Sequence, residues 1–156
     1  MVNTSTVLVI GACPDRVWNL IGGFHSVPNW HPHFRNSQVS DGGRVRRLES
    51  VVGEIIIERL ESFDNAARKY SYSMINGPFP ASNYRATISV EKITARELSR
   101  VMWSGSFTPV GVSEAHVRTL FQEIYRTGLA ALSKNVALKT TTTERKHPTG
   151  SDCSGS

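Results

Sequence analysis

The chain is poor in the residues that most directly announce a function. It has two cysteines, Cys13 and Cys153, in 156 residues. That is too few for a disulfide framework, and neither has a partner at metal-ligand spacing. Two free thiols in a reducing compartment are expected, and no metal site. No stretch approaches the roughly 18 consecutive apolar residues that a membrane-crossing helix needs. The opening MVNTSTVLVIGACPDR lacks the basic start of a secretory signal, and its apolar run is short. It reads as a first strand, and a cytoplasmic location is expected. There is no phosphate-binding loop, dinucleotide fingerprint or nucleophile elbow, so the common nucleotide-dependent and serine-hydrolase classes are set aside and no cofactor is expected.

Acidic residues are also in deficit, 13 against 18 basic ones, for a net charge of +5. That balance permits an anionic ligand. The basic residues are scattered, however, and Arg46-Arg47 is the only pair within a strand. No helix combines a basic face with interleaved aromatics, so nucleic acid is not an expected partner.

What the chain does have is alternation. Thr6–Ile10 reads as a strand; Pro14 and Asp15 open a short helix that Gly22-Gly23 stops, and Phe24–Trp30 reads as a second helical turn. Strands follow at Phe34–Ser40, Arg44–Val51, Glu54–Phe63, Arg68–Ile75, Tyr84–Ile93 and Leu98–Phe107, with Asp41-Gly42-Gly43 as a hairpin turn. One amphipathic helix then runs from about Ser113 to Val136. Val117, Leu120, Phe121, Ile124, Tyr125, Leu129, Leu132 and Val136 form its apolar stripe, and Gly128 sits on the same face. Residues 139–156 are polar and aperiodic, and read as a disordered tail. The expected architecture is a single α+β domain over residues 1–138, a curved antiparallel sheet of seven strands covered by the long helix.

Polar side chains on faces that should be buried are the informative ones. Arg46 shares a face with Leu48. Tyr72 lies between Tyr70 and Met74, Tyr84 opens its strand's apolar face, and Tyr125 is mid-stripe on the helix. Trp103 and Phe107 share an inward face, as Phe121 does on the helix. Arg46 and the tyrosines would converge on a cavity with polar tips. Glu58 is a candidate acid or base, although the pattern Glu54-Ile55-Ile56-Ile57-Glu58 favours Ile55 and Ile57 inward and the glutamates in solvent. An inward Glu58 would need Arg46 or Arg47 as its partner. His31, in Trp30-His31-Pro32-His33, is a candidate base at the cavity mouth. Gly128 is where the helix wall would thin to make room.

Together, Val17-Trp18-Asn-Leu-Ile-Gly-Gly-Phe24, Asn29-Trp30-His31-Pro32, Gly43-Arg-Val-Arg46-Arg47, Tyr70-Ser-Tyr72, Asn83-Tyr84 and Trp103-Ser-Gly-Ser-Phe107 resemble the SRPBCC superfamily. This is the START-like, helix-grip fold of birch pollen allergen relatives and polyketide cyclase/dehydrase-like proteins. The resemblance spans about Thr6 to Val136. It implies an internal site for a small hydrophobic or aromatic molecule, in an enzyme of the cyclase, dehydrase or lyase kind or in a non-catalytic carrier, as a monomer or homodimer. A weaker similarity, to fern hydroxynitrile lyases of this fold, places that family's pocket arginine at Arg46 and its tyrosines at Tyr72, Tyr84 and Tyr125. The lyase's pocket aspartate falls nearest Ile56, with Glu54 and Glu58 on either side. The resulting expectation is Arg46, Tyr72, Tyr125 and Glu58 as catalytic groups, and Tyr84, Trp103, Phe107, Phe121, Met74 and His31 as ligand contacts.

Overall fold

The computed structural model describes residues 1–93 and 97–146, apart from the side chains from residue 138 onward. The chain forms a seven-stranded antiparallel sheet in the order β1-β7-β6-β5-β4-β3-β2. Its strands are β1 (Val2–Ile10), β2 (Phe34–Ser40), β3 (Val45–Ser50), β4 (Ile55–Asp64), β5 (Lys69–Asn76), β6 (Ala81–Ile93) and β7 (Leu98–Pro109). The short helix α1 covers Pro14–Ile21 and the long helix α2 covers Glu114–Lys146. This is the helix-grip α+β fold. Between β1 and β2 the chain leaves the sheet altogether and places α1 and the turn Val27–Asn29 against it. β1 then pairs with β7 along its whole length, from Val2 opposite Phe107 to Ile10 opposite Ser99.

Local chemistry sets the element ends. Pro14 lacks the N–H that the first helical turn leaves unpaired, and Asp15 meets the positive end of α1. The Gly22 amide closes the helix on the Trp18 carbonyl at 2.7 Å. Ser113 caps α2, its hydroxyl accepting the His116 amide at 3.1 Å.

The core lies between the concave face of the sheet and α2. Tyr70, Tyr72, Tyr84, Ile88, Trp103 and Phe107 face inward, and Val117, Phe121, Tyr125, Leu129, Leu132 and Val136 meet them from the helix. Two expectations need correction here. α2 runs past Val136 to Lys146 and so takes in the first part of the segment expected to be disordered, while residues 147–156 of that segment lie outside the described residues. Cys13 is disulfide-bonded rather than a free thiol; Cys153 lies outside the described residues.

Candidate functional site

Beneath α2 the sheet buries a charged pair. Arg46 on β3 and Glu58 on β4 are directly opposite in register, as are Leu48 and Ile56. Cross-strand partners share a face, and Arg46 and Leu48 face the core, so Glu58 and Ile56 must as well. The local pattern pointed the other way: Ile56 and Glu58 are buried, whereas Ile55 and Ile57 are half-exposed on the outer face and Glu54 is in solvent. The cost of burying Glu58 is offset by its partner.

The pairing is asymmetric. Arg46 Nε and Nη2 both approach Glu58 Oε1, at 2.9 and 2.8 Å. Nη1 donates to the Phe24 carbonyl at 2.7 Å. The guanidinium lies 4.1 Å from the Phe24 ring centroid and 4.7 Å from that of Tyr72. Among the described residues, none hydrogen-bonds Glu58 Oε2. Burial raises the Glu58 carboxyl above the ordinary range, and Arg46 offsets this only in part. Burial also works against the charge on Arg46, but Glu58, Tyr70 and Tyr72 outweigh it and keep the guanidinium firmly protonated.

The hydroxyls form a second layer. Trp103 Nε1 donates to Tyr72 Oη at 3.0 Å, which leaves the Tyr72 proton free to be donated elsewhere. Tyr84 and Tyr125 share a short hydroxyl–hydroxyl hydrogen bond. Burial, first of all, pushes the phenols of Tyr72, Tyr84 and Tyr125 upward, so all are neutral donors near neutral pH. Gly105 on β7 makes this arrangement possible: a β-carbon there would lie 2.2 Å from the Tyr125 hydroxyl.

Arg46, Glu58, Tyr72, Met74, Tyr84, Trp103 and Phe121 line one internal cavity of about 20 Å³, completed by Val27, Phe34, Leu48, Ile56, Phe79 and Ile124. That volume holds about one water molecule, so bulky side chains fill most of the space. Three expected residues stand off the lining. Tyr125 is behind Tyr84. Phe107 is a core residue packed on Phe121, with centroids 5.0 Å apart. His31 is not at a mouth: it is fully buried against α2. Its Nε2 donates to the Ile124 carbonyl at 2.8 Å, and its Nδ1 accepts the His33 amide at 3.1 Å. Burial, opposed in part by the Ile124 bond, takes its pKa down to about 4, so it is neutral and structural. Gly128 makes room for this ring rather than for a ligand, since a β-carbon there would sit 2.4 Å from His31 Cδ2. Sequence reasoning missed Phe24, Phe34, Ile56 and Phe79 as parts of the site. Neither Phe34 nor the Phe24 carbonyl had a signal: β2 does not alternate, since Phe34 is its only buried residue and the register slips just after it. No group of three or more metal-ligating side chains occurs among the described residues, and among them no helix is long and apolar enough to cross a membrane.

A sheet gripping a long helix over a polar-tipped apolar cavity defines the START-like class of ligand-binding domains. The chain belongs to the family described as polyketide cyclase / dehydrase and lipid transport, which matches residues 1–137, and so to the SRPBCC superfamily. It is similar to the solved structure of the protein XoxI from Bacillus cereus, with 47% identity, a TM-score of 0.86, and coverage of 88% of this chain and 96% of that one. A START superfamily protein from Mycobacterium smegmatis shares the fold at 14% identity and TM-score 0.73, covering 87% and 97% of the two chains. So does the Zhui aromatase/cyclase from Streptomyces sp. R1128, at 14% identity and TM-score 0.71, covering 96% and 99%. Among curated proteins, none matches this chain. The family supports a protein that binds a hydrophobic ligand.

Proposed function

We propose that the protein is a cofactor-independent enzyme of the cyclase/dehydrase kind, acting on a small apolar or aromatic carbonyl compound that enters beneath α2 by repacking the side chains around the small cavity of about 20 Å³ there. The observation that carries this reading is the buried Arg46–Glu58 pair with Tyr72 beside it. A carrier needs an apolar cavity; it does not need a charged pair whose burial is costly. Glu58 Oε2 is the base. A carboxyl raised by burial is better matched to proton transfer near neutral pH than an ordinary one. It takes a proton from the carbon next to the substrate carbonyl, while Tyr72 and Arg46 stabilise the negative oxygen that develops. The same proton, returned to a neighbouring hydroxyl, lets that group leave as water.

The lyase-like variant of this reading has weaker support, because the position of the lyase's aspartate is the buried apolar Ile56. A non-catalytic carrier or sensor is the second reading. It is favoured by the tyrosine hydroxyls being paired with each other or with Trp103.

Native mass spectrometry of freshly purified protein, with identification of any bound small molecule, supplies the substrate. Glu58→Gln should then abolish turnover while the molecule still binds, and Arg46→Leu should abolish binding. Binding with no turnover in the unaltered protein would leave the carrier reading. Unchanged affinity in Arg46→Leu would remove Arg46 from the site.

A further inference from the structure

The cavity under α2 is small, about 20 Å³, and its polar lining is not fully paired. Arg46 donates to Glu58 Oε1 and to the Phe24 carbonyl. The Trp103 N–H goes to Tyr72, and the hydroxyls of Tyr84 and Tyr125 bond each other. Glu58 Oε2 and the Tyr72 proton are left over, on residues only 5% and 2% exposed. Buried polar groups left without partners cost stability unless something joins them. Cavities that stay dry are apolar, whereas a polar one with about 10–15 Å³ to spare takes a water. This one has the polar walls, and its volume admits one water and little else.

We propose that this cavity is a one-oxygen slot: it holds a single ordered water between Glu58 Oε2 and the Tyr72 hydroxyl, and a ligand enters by putting a hydroxyl, that of an alcohol or an enol, in the water's place. The water stands on the geometry alone; the ligand rests on the function proposed above. The direction of each bond carries the argument. Ionised beside Arg46, Glu58 Oε2 can only accept. Tyr72 Oη already accepts from Trp103, so its own proton is the one it offers to the cavity. Whatever sits between the two must accept from the tyrosine and donate to the carboxylate through one atom. Water does both, and so does a hydroxyl. A ketone, ester or ether oxygen only accepts, and displaces the water at the expense of its bond to Glu58. The slot therefore matches an enol better than the corresponding ketone, which is what a catalyst of proton removal next to a carbonyl requires. The carbon behind the oxygen needs room, and Met74 in the wall is unbranched and readily repacked.

The test is a high-resolution crystal structure of the unaltered protein, followed by soaks of the same crystals in methanol and in acetonitrile. One isolated water should lie within hydrogen-bond distance of both Glu58 Oε2 and Tyr72 Oη. Tyr72→Phe should draw it off this position, toward the Trp103 N–H that the substitution frees. Methanol should replace the water oxygen for oxygen, whereas acetonitrile, which accepts but cannot donate, should leave it in place. A dry cavity in the unaltered protein, or a water that stays put in Tyr72→Phe, overturns the slot. Acetonitrile displacing the water, or methanol failing to, overturns the preference for a hydroxyl while the water remains. Failure of the function proposed above looks different: the water is present and methanol replaces it, yet no ligand is turned over.

Discussion

Two buried polar clusters lie under α2, and they are built to opposite rules. Around His31 every ring nitrogen is spoken for: one donates to the helix and the other accepts from the next strand's approach. Around Arg46, one carboxylate oxygen takes both guanidinium contacts, and the other oxygen and a tyrosine proton are left to face the cavity. A cluster closed on itself holds elements together. A cluster that is closed on one side only keeps binding capacity in reserve, at a cost in stability.

The sharpest way to break this contrast is to strip one member from the charged pair. Glu58→Leu leaves Arg46 buried and unpaired and should destabilise the fold by about 3–5 kcal/mol in urea unfolding. The double variant Arg46→Leu/Glu58→Leu should recover most of that loss and still bind nothing. If the double variant is as unstable as the single one, packing rather than charge holds this part of the core.

The next test is acid. His31 has its folded pKa depressed from 6.5 to about 4, so between those values the unfolded chain holds the extra proton. Its contribution to stability is complete above pH 6.5 and is lost as the pH falls through about 4. The loss should be on the order of 1–3 kcal/mol. Glu58, with its pKa raised, acts with the opposite sign, losing stability as pH rises through its folded value. Urea midpoints measured from pH 7 to pH 4 should therefore fall less steeply in His31→Gln than in the unaltered protein. Equal slopes would show that the Ile124 contact does not hold the neutral ring.

These two clusters differ in how far they can be read from sequence. Alternation was enough to place Tyr70 and Tyr72 inward on β5, Trp103 and Phe107 inward on β7, and the stripe of α2 on the core. These are local periodicities, and the sheet order is compatible with them. Glu58 was misplaced because its own strand offers two isoleucines to the other face. What decides its orientation is the register with Arg46 on the neighbouring strand, which no local pattern encodes. His31 was read as a mouth residue for a similar reason: its partner carbonyl is 93 positions away, and Gly128 was taken for space when it is the socket of the His31 ring. The β5–β6 pairing likewise ends at Ser73 opposite Arg85, a stop that the alternation within either strand does not mark.

That socket gives a prediction of intermediate size. In an exposed helix, Gly→Ala stabilises by up to about 1 kcal/mol. At Gly128 the added carbon would meet His31 Cδ2 at 2.4 Å and Trp103 Cζ3 at 2.9 Å, both atoms of packed rings. Overpacking of this kind costs about 1–3 kcal/mol, so Gly128→Ala should be destabilising despite the gain in helix propensity. A rise in Tm would mean that the His31 ring yields easily and the cluster is looser than its hydrogen bonds imply.

The smallest expected effect on stability separates the clusters most cleanly. Tyr72→Phe removes the acceptor for Trp103 Nε1, a single neutral hydrogen bond 3.0 Å long. The net cost of losing one neutral hydrogen bond is about 1 kcal/mol, below that expected at Gly128. Fold and Tm should thus change little, with the rest of the tyrosine's packing kept. The effect on ligand should be disproportionate, because the hydroxyl proton that faces the cavity is the one lost. In calorimetry, affinity for the small molecule identified by native mass spectrometry should drop by about tenfold, the equivalent of roughly 1.4 kcal/mol. A His31→Gln variant, whose defect lies in how α2 is held, should instead lower stability more than it lowers affinity. If Tyr72→Phe loses stability and keeps affinity, the two clusters have the same role, and the hydroxyls under α2 are structural throughout.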